Sequence, residues 1–148
     1  MGLESGPSEF FTQDHRDCDE QWAQVEQAVD AGSGGAEAYA QFESSLLSHL
    51  AMEEEVLFPA LEQASGMQGG PTMVMRAEHR QMRGLLEQMR AAVEQGDFDA
   101  VVDQGDTLLM LIQQHNMKEE SVLYPLAERL LAPQWAQLAE RLSPYRQS

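Results

Sequence analysis

Hydrophobic residues recur along this chain at intervals of three and four positions, which is the spacing of one face of an α-helix. Three glycine-rich breaks divide the pattern into four long segments, and they lie at 30–35, 65–71 and 95–97. The segments predict four helices, which run over about 12–29, 36–64, 71–96 and 97–131. Asp97 is expected to be the N-cap of the fourth helix, because Asp is a favoured residue at that position.

Short connections between long helices favour antiparallel neighbours. No segment alternates between apolar and polar residues with period two, so no sheet is expected. We therefore predict an all-α fold, an up-down-up-down four-helix bundle. The pattern also allows a short C-terminal fifth helix after Pro133, carrying Trp135, Leu138 and Leu142. The length of 148 residues suits a single domain over 1–148, with the core bundle at about 8–131.

The second half of the chain repeats the first. A His-x-x-x-Glu motif followed by Leu, an aromatic residue and Pro occurs twice at one constant offset, as His49 to Pro59 and as His115 to Pro125. A lone His precedes each motif, at His15 and His79. Each half therefore predicts one helix with a single His and one helix with His-x-x-x-Glu. Packing the two hairpins together would bring these side chains into one cavity.

The apolar stripes of the four helices should face the core. Six polar residues interrupt these stripes, namely His15, His49, Glu53, His79, His115 and Glu119. A single His on such a stripe is commonly a core residue with a hydrogen-bond partner. Four His with two Glu are different, because a buried carboxylate without a partner is very costly and Lys and Arg are largely missing from the stripes. A bound metal would satisfy all six groups at once, so we expect these residues to be metal ligands.

The spacing within each motif supports this interpretation. Residues four positions apart lie about one turn apart on the same helix face, so His and Glu of one motif can reach adjacent positions. Two such helices could bridge a metal pair with their Glu side chains while each metal also takes two His. Imidazole and carboxylate together suit iron, and zinc, copper and manganese remain open by ligand type alone.

The order of the motifs resembles the hemerythrin-like HHE cation-binding domain family. The two flanks, Glu-Glu-x-x-Leu-Phe-Pro and Glu-Glu-x-x-Leu-Tyr-Pro, resemble the same family. The resemblance implies a four-helix bundle and a non-haem centre of two Fe ions, bridged by the two carboxylates and by an oxo or hydroxo group. It also implies that His15 and His49 bind one iron and that His79 and His115 bind the other, although this pairing could be exchanged.

The chain departs from the oxygen-carrying hemerythrins at two positions. Those proteins have a fifth His where this chain has Arg83, which stays protonated and cannot be a ligand. They also have an Asp five residues after the fourth-helix His, where this chain has Glu120. Four His and two Glu resemble instead the iron-centre repair proteins of nitrosative stress. Those proteins carry an additional Cys-containing N-terminal domain.

Several functions follow from these patterns. The first is a di-iron protein that binds oxygen, nitric oxide or peroxide for sensing, scavenging or stress response. The alternatives are an iron-handling or iron-centre repair protein and a di-iron oxidoreductase, so whether the protein is an enzyme is left open. A structural zinc bundle is a weaker alternative. A ferritin-like carboxylate oxidase is rejected, because no Glu lies three residues before any of the four His.

Charge and composition narrow the partners. The net charge of −16 argues against nucleic acid and anionic membranes, because both would repel the chain. No apolar run is long enough to span a membrane, and the single Cys18 excludes an internal disulfide. We therefore expect a cytoplasmic protein whose partner is a small diatomic or peroxide ligand. The oligomeric state is left open.

Structural roles can also be predicted for several residues near the motifs. Cys18 is expected to fill space in the core. The remaining glutamates of the two motifs, Glu54, Glu55 and Glu120, are expected to form a solvated acidic face, with Glu120 as a minor ligand candidate. Arg83 could pair with a ligand Glu or form a surface ion pair. Finally, Pro59 and Pro125 should kink or end their helices just beyond the ligands.

Overall fold

The computed structural model describes residues 6–67 and 69–146. Its α-helices are α1 (Pro7–Asp30), α2 (Ala36–Met52), α3 (Phe58–Ser65), α4 (Pro71–Glu94), α5 (Phe98–Lys118), α6 (Tyr124–Leu131) and α7 (Trp135–Leu142). Five-residue π-helical turns join α2 to α3 and α5 to α6, and they span Glu53–Leu57 and Glu119–Leu123. Short 3₁₀ turns follow α6 and α7, at Ala132–Gln134 and Ser143–Arg146. These described ranges contain no β-strand.

The helices form the predicted bundle. The segments α2 and α3 make one long arm, α5 and α6 make another, and α1 and α4 complete the four. Helix α1 packs along α2, and helix α4 packs along α5, so each packs against the helix that follows it in the chain. The prediction of an all-α, up-down-up-down fold is therefore confirmed. The same described residues contain no helix that is both long and apolar enough to cross a membrane.

The helix ends follow local chemistry. The first helix begins at Pro7 rather than near residue 12, because Pro is well suited to the first helical position. Its first turn is held by Glu128, whose Oε1 accepts a hydrogen bond of 2.9 Å from the amide of Ser8. Asp97 is the N-cap of α5 as predicted, and its Oδ1 accepts from the amide of Ala100 at 3.2 Å.

The two prolines of the repeat lie just after the π-helical turns. A proline ring crowds the carbonyl four residues earlier and supplies no amide proton, so a regular α-helix is disrupted there. In both arms the helix widens into a π-turn before Pro59 and Pro125 and then continues. The prolines therefore interrupt these arms without ending them. Each π-turn begins at the Glu of a His-x-x-x-Glu motif, so it shapes the backbone next to the candidate site.

The C-terminal helix covers only one of the two repeats. The predicted fifth helix exists as α7, and its side chains Trp135, Leu138 and Leu142 are buried as expected. Because α7 packs over the first π-turn, Val56 is buried. Its counterpart in the second repeat, Val122, belongs to the apolar stripe of the fourth predicted helix, which was expected to face the core, but it is 57% exposed. No helix of the described chain packs over that turn in the same way.

Two apolar clusters form the core, one toward each end of the bundle. One contains Phe10, Phe11, Phe58, Tyr124 and the side chains of α7, and the other contains Trp22, Val25, Phe42 and Leu86 among its members. Along every arm, the six polar residues of the stripes lie between these clusters. Their surroundings are therefore apolar on both sides.

Candidate metal centre

The structure brings all six predicted residues together in the middle of the bundle. Their relative exposures are 0% for Glu53, Glu119 and His79, 1% for His115, 2% for His49 and 5% for His15. These residues form two overlapping sets of four. Within each set, every residue offers one nitrogen or oxygen atom that lies within 4.8 Å of those of the other three. We call the space enclosed by His15, His49 and the two Glu the first position, and that enclosed by His79, His115 and the same two Glu the second position.

Each carboxylate presents one oxygen to each position. Glu53 places Oε2 3.4 Å from Nε2 of His49 and Oε1 3.1 Å from Nε2 of His79. Glu119 places Oε1 3.0 Å from Nε2 of His15 and Oε2 3.1 Å from Nε2 of His115. This division follows from the repeat, because the i, i+4 spacing holds one His and one Glu of each motif together and bundle packing supplies the other His.

The four imidazoles are oriented by a second set of carboxylates. Each Nδ1 lies 2.7 to 2.8 Å from a carboxylate oxygen, in the pairs His15–Glu120, His49–Asp14, His79–Glu54 and His115–Glu78. An Nδ1–H that donates to a carboxylate leaves the lone pair on Nε2, which is the arrangement of metal-binding histidines. All four Nε2 atoms point toward the two positions, and those of His79 and His115 lie only 3.2 Å apart.

The donor atoms inside the centre are not satisfied by the protein alone. Nε2 of His49, Oε1 of Glu53 and Oε2 of Glu119 are buried and form no hydrogen bond of good geometry, although the two oxygens each lie 3.1 Å from an imidazole Nε2. Leaving a buried acceptor unpaired costs about 1–3 kcal/mol, and more when it is charged. Cations at the two positions would satisfy these atoms, and a set of imidazole and carboxylate donors fits iron. The residues present therefore fit the group that the motifs predicted.

Comparison with protein families agrees with this geometry. Residues 6–127 match the family model described as Hemerythrin HHE cation binding domain. The chain belongs to this family. Membership implies a metal-binding site built on the cluster of His and Glu, and the resemblance inferred from the motifs is confirmed.

A curated relative points in the same direction. The HHE domain is 29% identical over 103 residues to the iron-sulfur cluster repair protein YtfE of Enterobacter sp. (strain 638). The alignment covers 64% of this chain and 47% of that protein, so the chain spans about half the length of the curated relative. No solved structure gives a significant match to the chain.

Two of the orienting carboxylates had been expected on a solvated face. Glu54 and Glu120 each follow a Glu of the centre, and both reach back to an imidazole Nδ1 of another helix. The expectation of a solvated face was therefore wrong for Glu54 and incomplete for Glu120, which is 41% exposed. The other two carboxylates, Asp14 and Glu78, were not singled out from the sequence. The signal was present, because an acidic residue precedes the first His of each half.

Basic side chains hold three of these four carboxylates. Arg83 donates to Glu54 at 2.9 Å, so it pairs with an orienting carboxylate rather than with a Glu of the centre. Lys118 donates to Glu78, and a guanidinium nitrogen of Arg146 lies 3.3 Å from Asp14. Within 6–67 and 69–146, Glu120 has no ion pair with Lys or Arg.

The metal-free centre is organised by charge. Burial alone would lower the pKa of His49, but the Glu53 carboxylate and the hydrogen bond with Asp14 raise it well above its usual value. Burial opposes charge on His79 as well, and the carboxylates of Glu53 and Glu54, which lie 3.1 and 2.8 Å from its ring nitrogens, nevertheless raise its pKa to about 9. The pKa of Glu53 is held well below its usual range, because the imidazole of His49 outweighs the effect of burial. Without metal, the raised pKa values of His49 and His79 therefore favour protonated imidazoles beside the carboxylates of the centre.

Tyr124 reaches the centre, which the sequence did not predict. Its hydroxyl donates to Oε2 of Glu53 and lies 2.8 Å from Oε1 of Glu119 and 3.0 Å from Nε2 of His15. Burial and the two carboxylates raise the pKa of the phenol well above its usual value, so it remains a donor. The sequence showed Tyr124 only as the repeat counterpart of Phe58, which has no hydroxyl.

Cys18 lies in the apolar cluster beyond the centre. Its side chain is buried, and burial raises the pKa of the thiol to about 12. A thiol that stays protonated is a poor nucleophile and a poor metal ligand. This environment fits the predicted role of a core residue.

Proposed function

We propose that this HHE domain holds two iron ions, one at the first position and one at the second, with Glu53 and Glu119 bridging them. One observation carries this proposal. Each of the two carboxylates directs one oxygen to the first position and its other oxygen to the second. The orienting carboxylates support it further, because they leave every imidazole Nε2 free to bind a metal. The pairing of His15 with His49 and of His79 with His115 is part of the same proposal.

The centre is built to bind a small molecule. Each iron would receive two imidazole nitrogens and two carboxylate oxygens from the chain, which leaves room in its coordination shell for an external ligand. Bound iron supplies redox and Lewis-acid chemistry toward oxygen, nitric oxide or peroxide. The six residues of the centre are at most 5% exposed, and apolar clusters lie on both sides of them. We therefore propose binding of such a ligand for sensing, scavenging or stress response.

Iron-centre repair is a second candidate. The similarity to the iron-sulfur cluster repair protein favours it, and so does the presence of Arg83 where the oxygen carriers have a fifth His. The chain spans only about half of that relative, so the repair activity of the whole relative is itself a proposal for this chain. A di-iron oxidoreductase would use the same centre.

Metal analysis of the purified protein tests the proposed centre. We expect close to two irons per chain and near-ultraviolet absorption from a bridged ferric pair. One zinc per chain with no uptake of iron on reconstitution would contradict the proposal. Addition of nitric oxide to the reduced protein, followed by infrared spectroscopy, tests ligand binding. Transfer of iron to a metal-free iron-sulfur acceptor tests the repair alternative.

Neighbouring glutamates provide a matched pair of variants. Glu119→Ala should remove most of the bound iron, because both of its oxygens face the two positions. Glu120→Ala should retain iron with weaker affinity, since its side chain contacts only Nδ1 of His15. Iron content after desalting measures both. Greater loss in Glu120→Ala than in Glu119→Ala would show that Glu120 is the ligand.

A further inference from the structure

The two halves of the centre differ in one aromatic residue. Tyr124 and Phe58 occupy equivalent places in the repeat, each five residues after the Glu of its own motif. The Phe58 ring lies 5.4 Å from the ring of His79, and the Tyr124 ring lies 5.5 Å from the ring of His15. The aromatic rings are therefore placed alike, and the hydroxyl group distinguishes one half from the other.

Of the four carboxylate oxygens, the hydroxyl of Tyr124 contacts only the two that face the first position, and it also lies 3.0 Å from Nε2 of His15. These oxygens are Oε2 of Glu53 and Oε1 of Glu119. The opposite oxygens, Oε1 of Glu53 and Oε2 of Glu119, face the second position, where each lies 3.1 Å from an imidazole Nε2 and accepts no hydrogen bond from a hydroxyl group. Before any metal binds, each of the four carboxylate oxygens lies 3.0 to 3.4 Å from an imidazole Nε2, and those of the first position have the Tyr124 hydroxyl as an additional partner.

This difference has an energetic consequence. A cation at the second position binds its two carboxylate oxygens without displacing a hydroxyl group, whereas protons on the imidazoles are displaced at either position. A cation at the first position must compete with the hydroxyl for the same two oxygens, and hydrogen bonds to a carboxylate are among the stronger ones. Binding at the second position also leaves the hydrogen bonds of Tyr124 intact. The second position should therefore bind the metal more tightly.

The first position is also the one nearer to solvent. His15 is 5% exposed, whereas His79 is fully buried. His15 and Glu120 both line a surface cavity of about 360 Å³, together with Arg16, Asn116 and other side chains. Because Glu120 is 41% exposed and has no ion pair with Lys or Arg in the described chain, it can move more freely than the other orienting carboxylates.

We propose that Tyr124 makes the two metal positions unequal, so that the second position holds its ion tightly and the first position holds a weaker, exchangeable ion. This inference rests on the proposed two-metal centre. Tyr124 would then act as a positioning residue that sets the order in which the two ions bind and dissociate.

Stepwise metal titration tests the inference. The metal-free protein is titrated with Co²⁺ under anaerobic conditions in competition with a chromophoric chelator. The wild-type protein should bind two ions with dissociation constants that differ by about ten- to a hundredfold, as expected for displacing hydrogen bonds to carboxylates. Tyr124→Phe should reduce the ratio of the two dissociation constants by about tenfold, because the weaker ion then binds more tightly. The mirror variant Phe58→Tyr should weaken the tighter step.

Two further variants assign the steps to the positions. His15→Ala should abolish the weaker step, and His79→Ala should abolish the tighter one. These variants and the wild-type titration do not depend on Tyr124→Phe, and circular dichroism verifies that each variant is folded.

Specific outcomes would overturn the inference. Equal wild-type constants, or an unchanged difference in Tyr124→Phe, would refute it while leaving the two-metal centre in place. Weaker binding at the first position in Tyr124→Phe would also refute it, because the hydroxyl would then assist the metal. Binding of fewer than two Co²⁺ ions by the wild type would instead contradict the proposed centre and this inference together.

Discussion

Removal of metal should leave a protein that loses stability as the pH rises from 6.5 to 9. The pKa of His79 is about 9 in the folded chain and 6.5 in the unfolded chain. A raised pKa means that the folded state binds the proton more strongly. The stabilisation is therefore fully present below pH 6.5 and is lost progressively as the pH rises through about 9.

The magnitude follows from the two pKa values. The difference between 6.5 and about 9 for His79 corresponds to roughly 3 kcal/mol of unfolding free energy. His79 is buried, so solvent does not screen this contribution strongly. The pKa values of His49 and His115 are raised as well, which adds to the loss in the same direction.

Urea denaturation in the presence of a chelator, followed by circular dichroism, measures this effect. We expect the unfolding free energy to be lower at pH 9 than at pH 6.5 by at least about 3 kcal/mol. The iron-loaded protein should lose less, because an imidazole that binds metal through Nε2 has no proton on that nitrogen at either pH. An unfolding free energy of the metal-free protein that is unchanged or higher at pH 9 would refute the reasoning.

Two variants separate the contribution of the imidazoles to this pH-dependent loss of stability from other contributions. Glu54→Gln removes one of the carboxylates that raise the pKa of His79, so it should reduce the pH-dependent loss. A Cys18→Ala background removes a second contribution, because burial raises the pKa of this thiol from 9.0 to about 12 and the unfolded thiol ionises near pH 9. The loss should persist in that background.

Two further predictions concern the helices and the orienting carboxylates. Gly105→Ala should lower the unfolding free energy by about 1–3 kcal/mol in urea denaturation, since its Cβ would lie 2.2 Å from the ring of Trp22. The control Gly84→Ala meets nothing within 4 Å and should raise it by about 0.5–1 kcal/mol. An unfolding free energy that is unchanged in Gly105→Ala would contradict this packing of Gly105 against Trp22. Asp14→Asn and Glu78→Gln should each weaken metal binding about 10- to 100-fold in chelator competition, and wild-type affinity would contradict their orienting role.

Helical periodicity made much of the centre predictable. A His and a Glu four residues apart must share a helix face, whatever the rest of the fold does. The same motif occurs in both halves, so any antiparallel packing of the two hairpins brings His49, Glu53, His115 and Glu119 into one cavity. The placement of the lone His15 and His79 on apolar stripes completed the set of six.

Contacts between helices could not be predicted in this way. Asp14 is the neighbour of His15 in the chain, yet it binds the imidazole of His49 on another helix. Glu120 follows Glu119 and binds His15. These partners depend on how the helices are rotated against one another, and the π-helical turns at the motifs alter that rotation locally. Sequence spacing alone places such residues on a surface.

The helices, the repeat and the six polar residues of the stripes could all be predicted from the sequence, because they depend on periodicity within one helix. Tertiary packing brings the hydroxyl of Tyr124 to Glu53, to which it donates, and within 2.8 Å of Glu119, and it places α7 over Val56 while Val122 stays exposed. The repeat makes the two halves alike in sequence. Packing makes them unequal, because a hydroxyl or a covering helix acts across space on residues that are distant in the chain.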